Sequence, residues 1–448
     1  MDSAEEKTVF IPDDKHFAFP DNIVVSEYKD YIFVVSVDTA NWLILNSKDQ
    51  LDLFNLLKYK WVGEALGLYK GSFESAESLL SQIIARDFEC RDVKLKSQES
   101  SLHLYLTNAC NLRCPHCYMS AGIKKQDELS NDELKNIIKE AAHHGVNHIT
   151  FSGGEIMMCK ELKDYVNLAF EYGIKVELLT NGTLMTDEFV NQIEGKVTRV
   201  QISIDGYDET SNALVRGNGN FERAMRSVDI LVNHSMNVDI GITPRFHKSL
   251  HEEINLYVEF VHSIQKRYDN RVIIAFTSAL FDGRELKLSD EDRQYYSNCI
   301  SKITDQCFGM MNKDLGFVKF HKEHGIDENC AYGNLTISSV GDIFFCSQIS
   351  PMKPFGNIRD LNLRDAFEMS KKAKERSNIN NLEPCGQCEL KYICGGDCRI
   401  KYFEQMLDCK NTETPRRVCT NTIKSNVYEQ MLRTHEYLFD WIDYFLYV

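Results

Sequence analysis

The chain predicts an α/β fold: a partial (β/α)6 TIM barrel set between an N-terminal winged-helix domain and a cysteine-rich C-terminal domain. Three observations predict it. Strand-like runs alternate with helix signals from Leu102 to about Thr277, a sheet-then-helix pattern fills residues 1 to about 95, and cysteines bunch beyond residue 330.

In the first part, strand-like Thr8 to Ile11, Ile23 to Tyr28, Ile32 to Val37 and Trp42 to Leu45 precede helical Lys48 to Leu57, Val62 to Leu68 and Ala76 to Ile84. This is a small winged-helix layout. Winged helices often bind DNA, yet the net charge of -15 and the absence of a Lys/Arg stripe disfavour nucleic acid as a partner. A cationic peptide suits such a field better.

The barrel strands are read at Leu102 to Thr107, His148 to Phe151, Lys175 to Leu179, Arg199 to Ile204, Val238 to Thr243 and Val272 to Phe276. Ser130-Asn131-Asp132-Glu133 is a capping box that opens a helix over Leu134 to His144; Gly145 stops it, and Gly173 ends the next helix. Six such units imply parallel strands joined by right-handed crossovers. Barrels of this kind carry chemistry at the C-terminal ends of their strands, where Cys110, Gly153, Asn181 and Ser203 fall. The boundaries expected are 1–95, 96–285 for the barrel, 286–325 for a bridging helical segment, 326–425 for the cysteine-rich domain and 426–448 for a terminal helix.

With 448 residues the chain exceeds one hydrophobic core, and 43% hydrophobic content is ample for burial. Met1 to Lys7 is acidic and polar, unlike a signal peptide, and no apolar run is long enough to span a bilayer, so a cytosolic protein without a membrane partner is expected. Fifteen cysteines in a reducing compartment argue for metal ligation over disulfides. Cys90, Cys159, Cys299 and Cys307 lie outside the bunches and read as buried thiols.

The most informative run is Cys110-Asn-Leu-Arg-Cys114-Pro-His-Cys117-Tyr118. It supplies three thiolates where a cubic iron-sulfur cluster needs four, which leaves one iron open to bind a small molecule and pass it an electron. The competing reading is a zinc knot, although neither His116 nor His103 has a spacing that closes a tetrahedron. Downstream come Ser152-Gly153-Gly154-Glu155, Asn181-Gly182, Ser203 and Arg216. Each alone could be a turn, a strand end or a solvated charge.

In this order the residues resemble the radical S-adenosylmethionine (SAM) enzymes, whose CxxxCxxC and GGE motifs they match. The resemblance implies that Cys110, Cys114 and Cys117 hold the catalytic cluster and that Tyr118, Gly153, Gly154, Glu155, Asn181, Ser203 and Arg216 bind the cofactor. Gly153 and Gly154 would let the backbone approach its methionine end, and the motif would bind the ammonium group. Ser203 and Arg216 would contact the carboxylate, and Asn181 would face the ribose. An Arg fork suits a carboxylate. His116 stands where the family often has an aromatic residue.

Beyond the barrel the spacing C-x10-G-x4-C, C-x2-C-x5-C-x3-C and C runs through Cys330, Gly341, Cys346, Cys385, Cys388, Cys394, Cys398 and Cys419. Gly341 with Asp342 reads as the turn of a hairpin, Leu335 to Ser338 and Ile343 to Phe345. The pattern resembles the SPASM iron-sulfur domain. It implies two auxiliary 4Fe-4S clusters, one on Cys330, Cys346 and Cys398 and one on Cys385, Cys388, Cys394 and Cys419, with Cys409 the alternative to Cys419. The first is one ligand short; His321, His324, a substrate cysteine or an open iron could complete it.

The first 95 residues look like the PqqD-like leader-recognition domains, in which a leader peptide adds a strand to a sheet edge. Asn426 to Val448, with Tyr437, Phe439, Trp441, Tyr444, Phe445 and Tyr447, reads as a helix packing across the barrel. Taken whole, the chain resembles peptide maturases that form sulfur-to-carbon thioethers in sactipeptides and ranthipeptides. That implies SAM, three 4Fe-4S clusters, a ribosomal precursor peptide and a flavodoxin- or ferredoxin-type electron donor. Rival readings are carbon-carbon cross-linking, epimerisation or formylglycine-type oxidation on the same scaffold, and a non-catalytic metal-bearing peptide-binding scaffold.

Overall fold

The computed structural model describes residues 11–96, 100–308, 325–328, 330, 332–349, 352–396, 398–402 and 419–446. His321, His324, Cys409 and Thr8 to Phe10 of the expected first strand lie outside them, as do the side chains of the tail aromatics from Tyr437 onward.

The N-terminal unit is an antiparallel meander of β1 (Ile23–Tyr28), β2 (Tyr31–Ser36) and β3 (Asn41–Leu45), followed by α1 (Lys48–Leu57), α2 (Val62–Leu68) and α3 (Phe73–Ala85). Ser47 and Ser72 cap α1 and α3 by accepting from the backbone of Gln50 and Ser75. β2 and β3 read as nearly continuous apolar runs because both faces of the sheet are covered. One face, with Val34, Leu43 and Leu45, packs on Leu53, Phe54 and Leu79 of the helices. The other, with Phe33, Val35, Trp42 and Ile44, packs on Leu390, Tyr428, Met431 and Leu432.

Those last three residues belong to the terminal helix, Asn421–Leu446. For the described side chains, up to His435, the expectation of a helix lying across the barrel is therefore corrected. Its first half covers the open face of the N-terminal sheet, where Tyr28 stacks on Tyr428 at 5.2 Å and donates to Glu429 at 2.8 Å. An uncovered apolar sheet face is what draws the helix there. Its Gln430 and Arg433 reach the groove beside the last barrel strand.

The barrel is built from β4 (Ser101–Tyr105), β5 (His148–Ser152), β6 (Lys175–Thr180), β7 (Arg199–Ile204), β8 (Val238–Ile242) and β9 (Val272–Phe276), all parallel neighbours in that order. The helix after β4, Asn131–His143, opens on the expected capping box and buries Leu134, Ile137, Ile138 and Ala141. Along each strand the buried aliphatics face the helices, and the alternate positions, such as Gln201 and Ser203, face the barrel interior.

The hairpin expected at Gly341 forms, with φ of +88° at the glycine, from β10 (Leu335–Ile337) and β11 (Asp342–Phe344). It does not stand apart from the barrel. β10 pairs in parallel with β4, Thr336 opposite His103, and β12 (Gly356–Asn357) pairs with β11, so a nine-stranded sheet runs unbroken across the expected boundary at 326. β4 opens the barrel and would otherwise leave a bare edge. Among the described residues no helix is long and apolar enough to cross a membrane.

Candidate functional site

The loop that leaves β4 carries Cys110, Cys114 and Cys117, and the chain braces it from two sides. At its base, Glu128 accepts from the Thr107 hydroxyl at 2.8 Å and from the Asn108 amide at 2.6 Å, while the Cys110 amide donates to Gly122 at 2.9 Å. At its far end, the amides of Arg284 and Glu285 donate to Cys117 and Pro115 at 3.1 and 2.9 Å, and the Arg284 guanidinium reaches the Cys114 carbonyl at 3.3 Å. Sequence reasoning missed Glu128 and Arg284, because neither lies in a recognisable motif.

Backbone amides of Leu112 and Ala121 point at the sulfurs of Cys110 and Cys117, both at 3.4 Å. Burial pushes the Cys110 thiol up and carries Cys114 up to about 11, so ligation there must displace protons. The donor set suits a thiolate-bound cluster: three partly buried sulfurs, two of them receiving amide hydrogens. Among the described residues no three His, Cys, Asp or Glu side chains close on a single ion, as a zinc knot requires. His116 faces Asp205 at 3.7 Å, and burial lowers its pKa against the pull of that carboxylate.

The glycines of Gly153-Gly154-Glu155 are demanded by the chain itself. A Cβ on Gly153 would lie 2.6 Å from the Thr107 carbonyl oxygen, and one on Gly154 would lie 2.3 Å from that of Ala109. This contact lets the amides of Gly154 and Glu155 donate to Thr107 and Ala109, both at 2.8 Å, and so docks the cysteine loop on the β5 turn. Gly154→Ala is expected to destabilise the metal-free protein by about 1–3 kcal/mol. Thermal unfolding checks this, and iron uptake should fall with it because the same contact seats the thiols.

Glu155 turns inward. It is 1% exposed, and its carboxylate accepts from the Thr180 hydroxyl at 2.6 Å and the amides of Met157 and Asn181 at 3.0 and 2.8 Å. Burial raises its pKa, and those hydrogen bonds oppose the rise. The Asn181 side chain donates to Asn111 at 3.0 Å and lies 4.0 Å from the Cys110 sulfur, so it grips the cysteine loop.

Arg216 does not hold its fork open for a ligand carboxylate. Its Nε lies 2.6 Å from one oxygen of fully buried Asp205, and its Nη2 donates to the other at 3.1 Å. Burial opposes the Arg216 charge, and Asp205 outweighs that opposition. Asp205 was visible in sequence as the acid two residues beyond Ser203, but nothing local marked it as the partner of Arg216. Ser203 itself sits half-buried at the barrel interior, in register with Gly241 of β8.

A second group of thiols lies beyond the hairpin. Cys346, pushed up to about 11 chiefly by burial, feels Cys330 and Cys398 as its charged neighbours. Cys385, Cys388, Cys394 and Cys419 line one cavity of about 560 Å³. Tyr118, which follows Cys117, places its hydroxyl 2.9 Å from that of Tyr105.

Residues 104–253 match the family model of the radical SAM superfamily. The AdoMet-dependent heme synthase of Methanosarcina barkeri is 29% identical over 320 residues, 66% of this chain and 90% of that protein. The mycofactocin maturase MftC of Mycolicibacterium smegmatis is 36% identical over 315 residues, 66% of this chain and 77% of that one. The solved structure of native anSMEcpe with bound AdoMet superposes with a TM-score of 0.55 at 18% identity, covering 76% of this chain and 97% of that one, a likeness of fold. With one relative above a third identical along most of its length, and the family match spanning the cysteine loop, the Gly-Gly-Glu turn and Asp205, the chain belongs to the radical SAM superfamily.

Proposed function

We propose that this protein matures a ribosomally made precursor peptide by joining a cysteine sulfur to a carbon as a thioether. What supports the reading is that Cys110, Cys114 and Cys117 share one loop and that Cys330 and Cys398 neighbour Cys346, so that among the described residues each set offers three thiols where a cluster takes four ligands. The first would bind SAM, and the second would take the thiolate of the peptide cysteine. Cys385, Cys388, Cys394 and Cys419 supply four donors, enough for a closed third cluster.

Held by Cys110, Cys114 and Cys117, a cluster would supply the one electron that splits SAM into methionine and a 5'-deoxyadenosyl radical, which would take a hydrogen atom from the peptide carbon. Carbon-sulfur bonding returns that electron. The sum is SAM plus C–H and S–H giving methionine, 5'-deoxyadenosine, the C–S bond and one proton. A flavodoxin- or ferredoxin-type donor then only primes the first cluster.

The residues of the chain hold this chemistry in place. Glu128, Asn181 and the Gly153-Gly154 contact orient the cysteine loop, and the buried Asp205–Arg216 pair holds His116 beside it. The MftC relative is a maturase, which favours a peptide substrate. The decisive experiment is mass spectrometry of a precursor coexpressed anaerobically: loss of two hydrogens with a blocked thiol supports the reading. Loss of two hydrogens with a free thiol points to carbon-carbon cross-linking or oxidation instead.

The N-terminal unit would hold the leader, giving the core peptide an effective concentration of ~mM near the thiols. Of its two sheet edges, β3 has its outward amides taken: Ile44 donates to Gln82 at 3.1 Å, and Trp42 to Asn41 at 2.9 Å. Among the described residues β1 is the freer edge. The Val37 amide donates to Asn22, so by alternation Ile23, Val25 and Glu27 turn their amides outward. Deleting residues 1–95 would also uncover Leu390 and Tyr428, so a point substitution is the cleaner probe. Val25→Pro removes an outward donor at a 41% exposed edge position. It is expected to raise the KM for full-length precursor about tenfold and to leave that for a leaderless core unchanged, measured by 5'-deoxyadenosine release.

A further inference from the structure

Two hydrogen bonds join the thiol groups, and the reaction sketched above makes no use of them. Tyr105 ends β4 and is fully buried, and its hydroxyl donates to the Ser347 carbonyl. With that proton committed, the Tyr118 hydroxyl is the donor of the 2.9 Å bond to the Tyr105 oxygen. Tyr118 directly follows Cys117, and Ser347 directly follows Cys346. The two bonds therefore run from the residue after Cys117 to the residue after Cys346.

The need for such a link follows from the ladder. β10 pairs with β4 only from Leu335 opposite Leu102 to Ile337 opposite Leu104, and each strand of the hairpin is three residues long. Cys346 lies past the end of β11, where no strand pairing secures it. Tyr105 is the next residue of β4 after that pairing stops.

We propose that Tyr118, Tyr105 and the Ser347 carbonyl form a strap that fixes the Cys346 loop against the Cys117 loop, so that a peptide thiol held at one group meets the peptide carbon activated at the other. The proposal rests on the thioether reading. Bond formation needs the reacting atoms about 3–3.5 Å apart, and a slip of about 1 Å can cost on the order of a hundredfold. Tyr105 and Tyr118 act here as positioning residues.

The test is Tyr105→Phe, which keeps the ring and removes the hydroxyl. In the metal-free protein the melting temperature should stay close to wild type, while amide hydrogen exchange over 345–349 quickens. In the loaded enzyme with precursor, release of 5'-deoxyadenosine should persist while thioether formed per 5'-deoxyadenosine falls about tenfold. An unchanged ratio overturns the strap, and so does a parallel loss of melting temperature, cleavage and product, which marks plain packing. If that variant does not fold, Tyr118→Phe breaks the other link and should lower the same ratio; a wild-type ratio there overturns the strap equally. A wild-type enzyme that forms no thioether ends the functional reading instead, whereas thioether made equally well by both proteins ends only the strap.

Discussion

Cys114→Ala should reduce cleavage of SAM to background and remove about four iron atoms per chain from the anaerobically reconstituted protein. Cys114 is the middle donor of a loop whose two ends are pinned, by Gly122 at Cys110 and by Arg284 at Cys117. With both flanks held, the loop has little freedom to bring in a replacement. His116, the nearest other donor, is turned to Asp205. Two thiolates cannot retain a cubic cluster that already leaves one iron uncapped. Iron analysis and 5'-deoxyadenosine assay decide the matter together. Undiminished cleavage by this variant, or zinc in place of iron in the wild-type protein, would end the assignment of the loop.

Asp205→Asn should destabilise the metal-free protein by about 3–5 kcal/mol, because it leaves the Arg216 guanidinium buried without its countercharge. The loss is larger than for a surface pair since Asp205 is fully buried and Arg216 is 11% exposed. Asp205 is also tied through its backbone, donating to the Asn212 side chain at 3.0 Å and accepting from Tyr257 at 2.9 Å, so the local backbone should persist around the altered side chain. Arg216→Met placed on the same background removes the stranded charge, and the double variant should recover part of the loss. Denaturant titration of the wild type, both single variants and the double variant measures this. Additive losses would mean that the two side chains do not act as a pair.

The sequence carried the parts that local chemistry dictates. Strand-like apolar runs located all six barrel strands, and Ser130 with Glu133 marked the first barrel helix, because strand propensity and caps are settled within a few residues. The cysteine spacing put three sulfurs on one loop at a strand end, and Gly341 turned its hairpin. Long-range choices were less legible. Gly153 and Gly154 read as room for a ligand, but the atoms a Cβ would strike belong to Thr107 and Ala109. Arg216 read as a free fork because no pattern shows which carboxylate a barrel brings to it.

The succession of strands and helices, and the loops on which the thiols sit, follow from local chemistry, since propensity, capping and turn residues act between near neighbours. Tertiary structure alone decided that Arg216 pairs with Asp205, that β10 extends the barrel sheet along β4, that the terminal helix covers the N-terminal sheet, and that Tyr105 links two cysteine loops. Each of those outcomes satisfies a buried charge, a bare strand edge, an apolar face or a polar hydrogen, and which distant group answers the need is settled only when the surfaces meet.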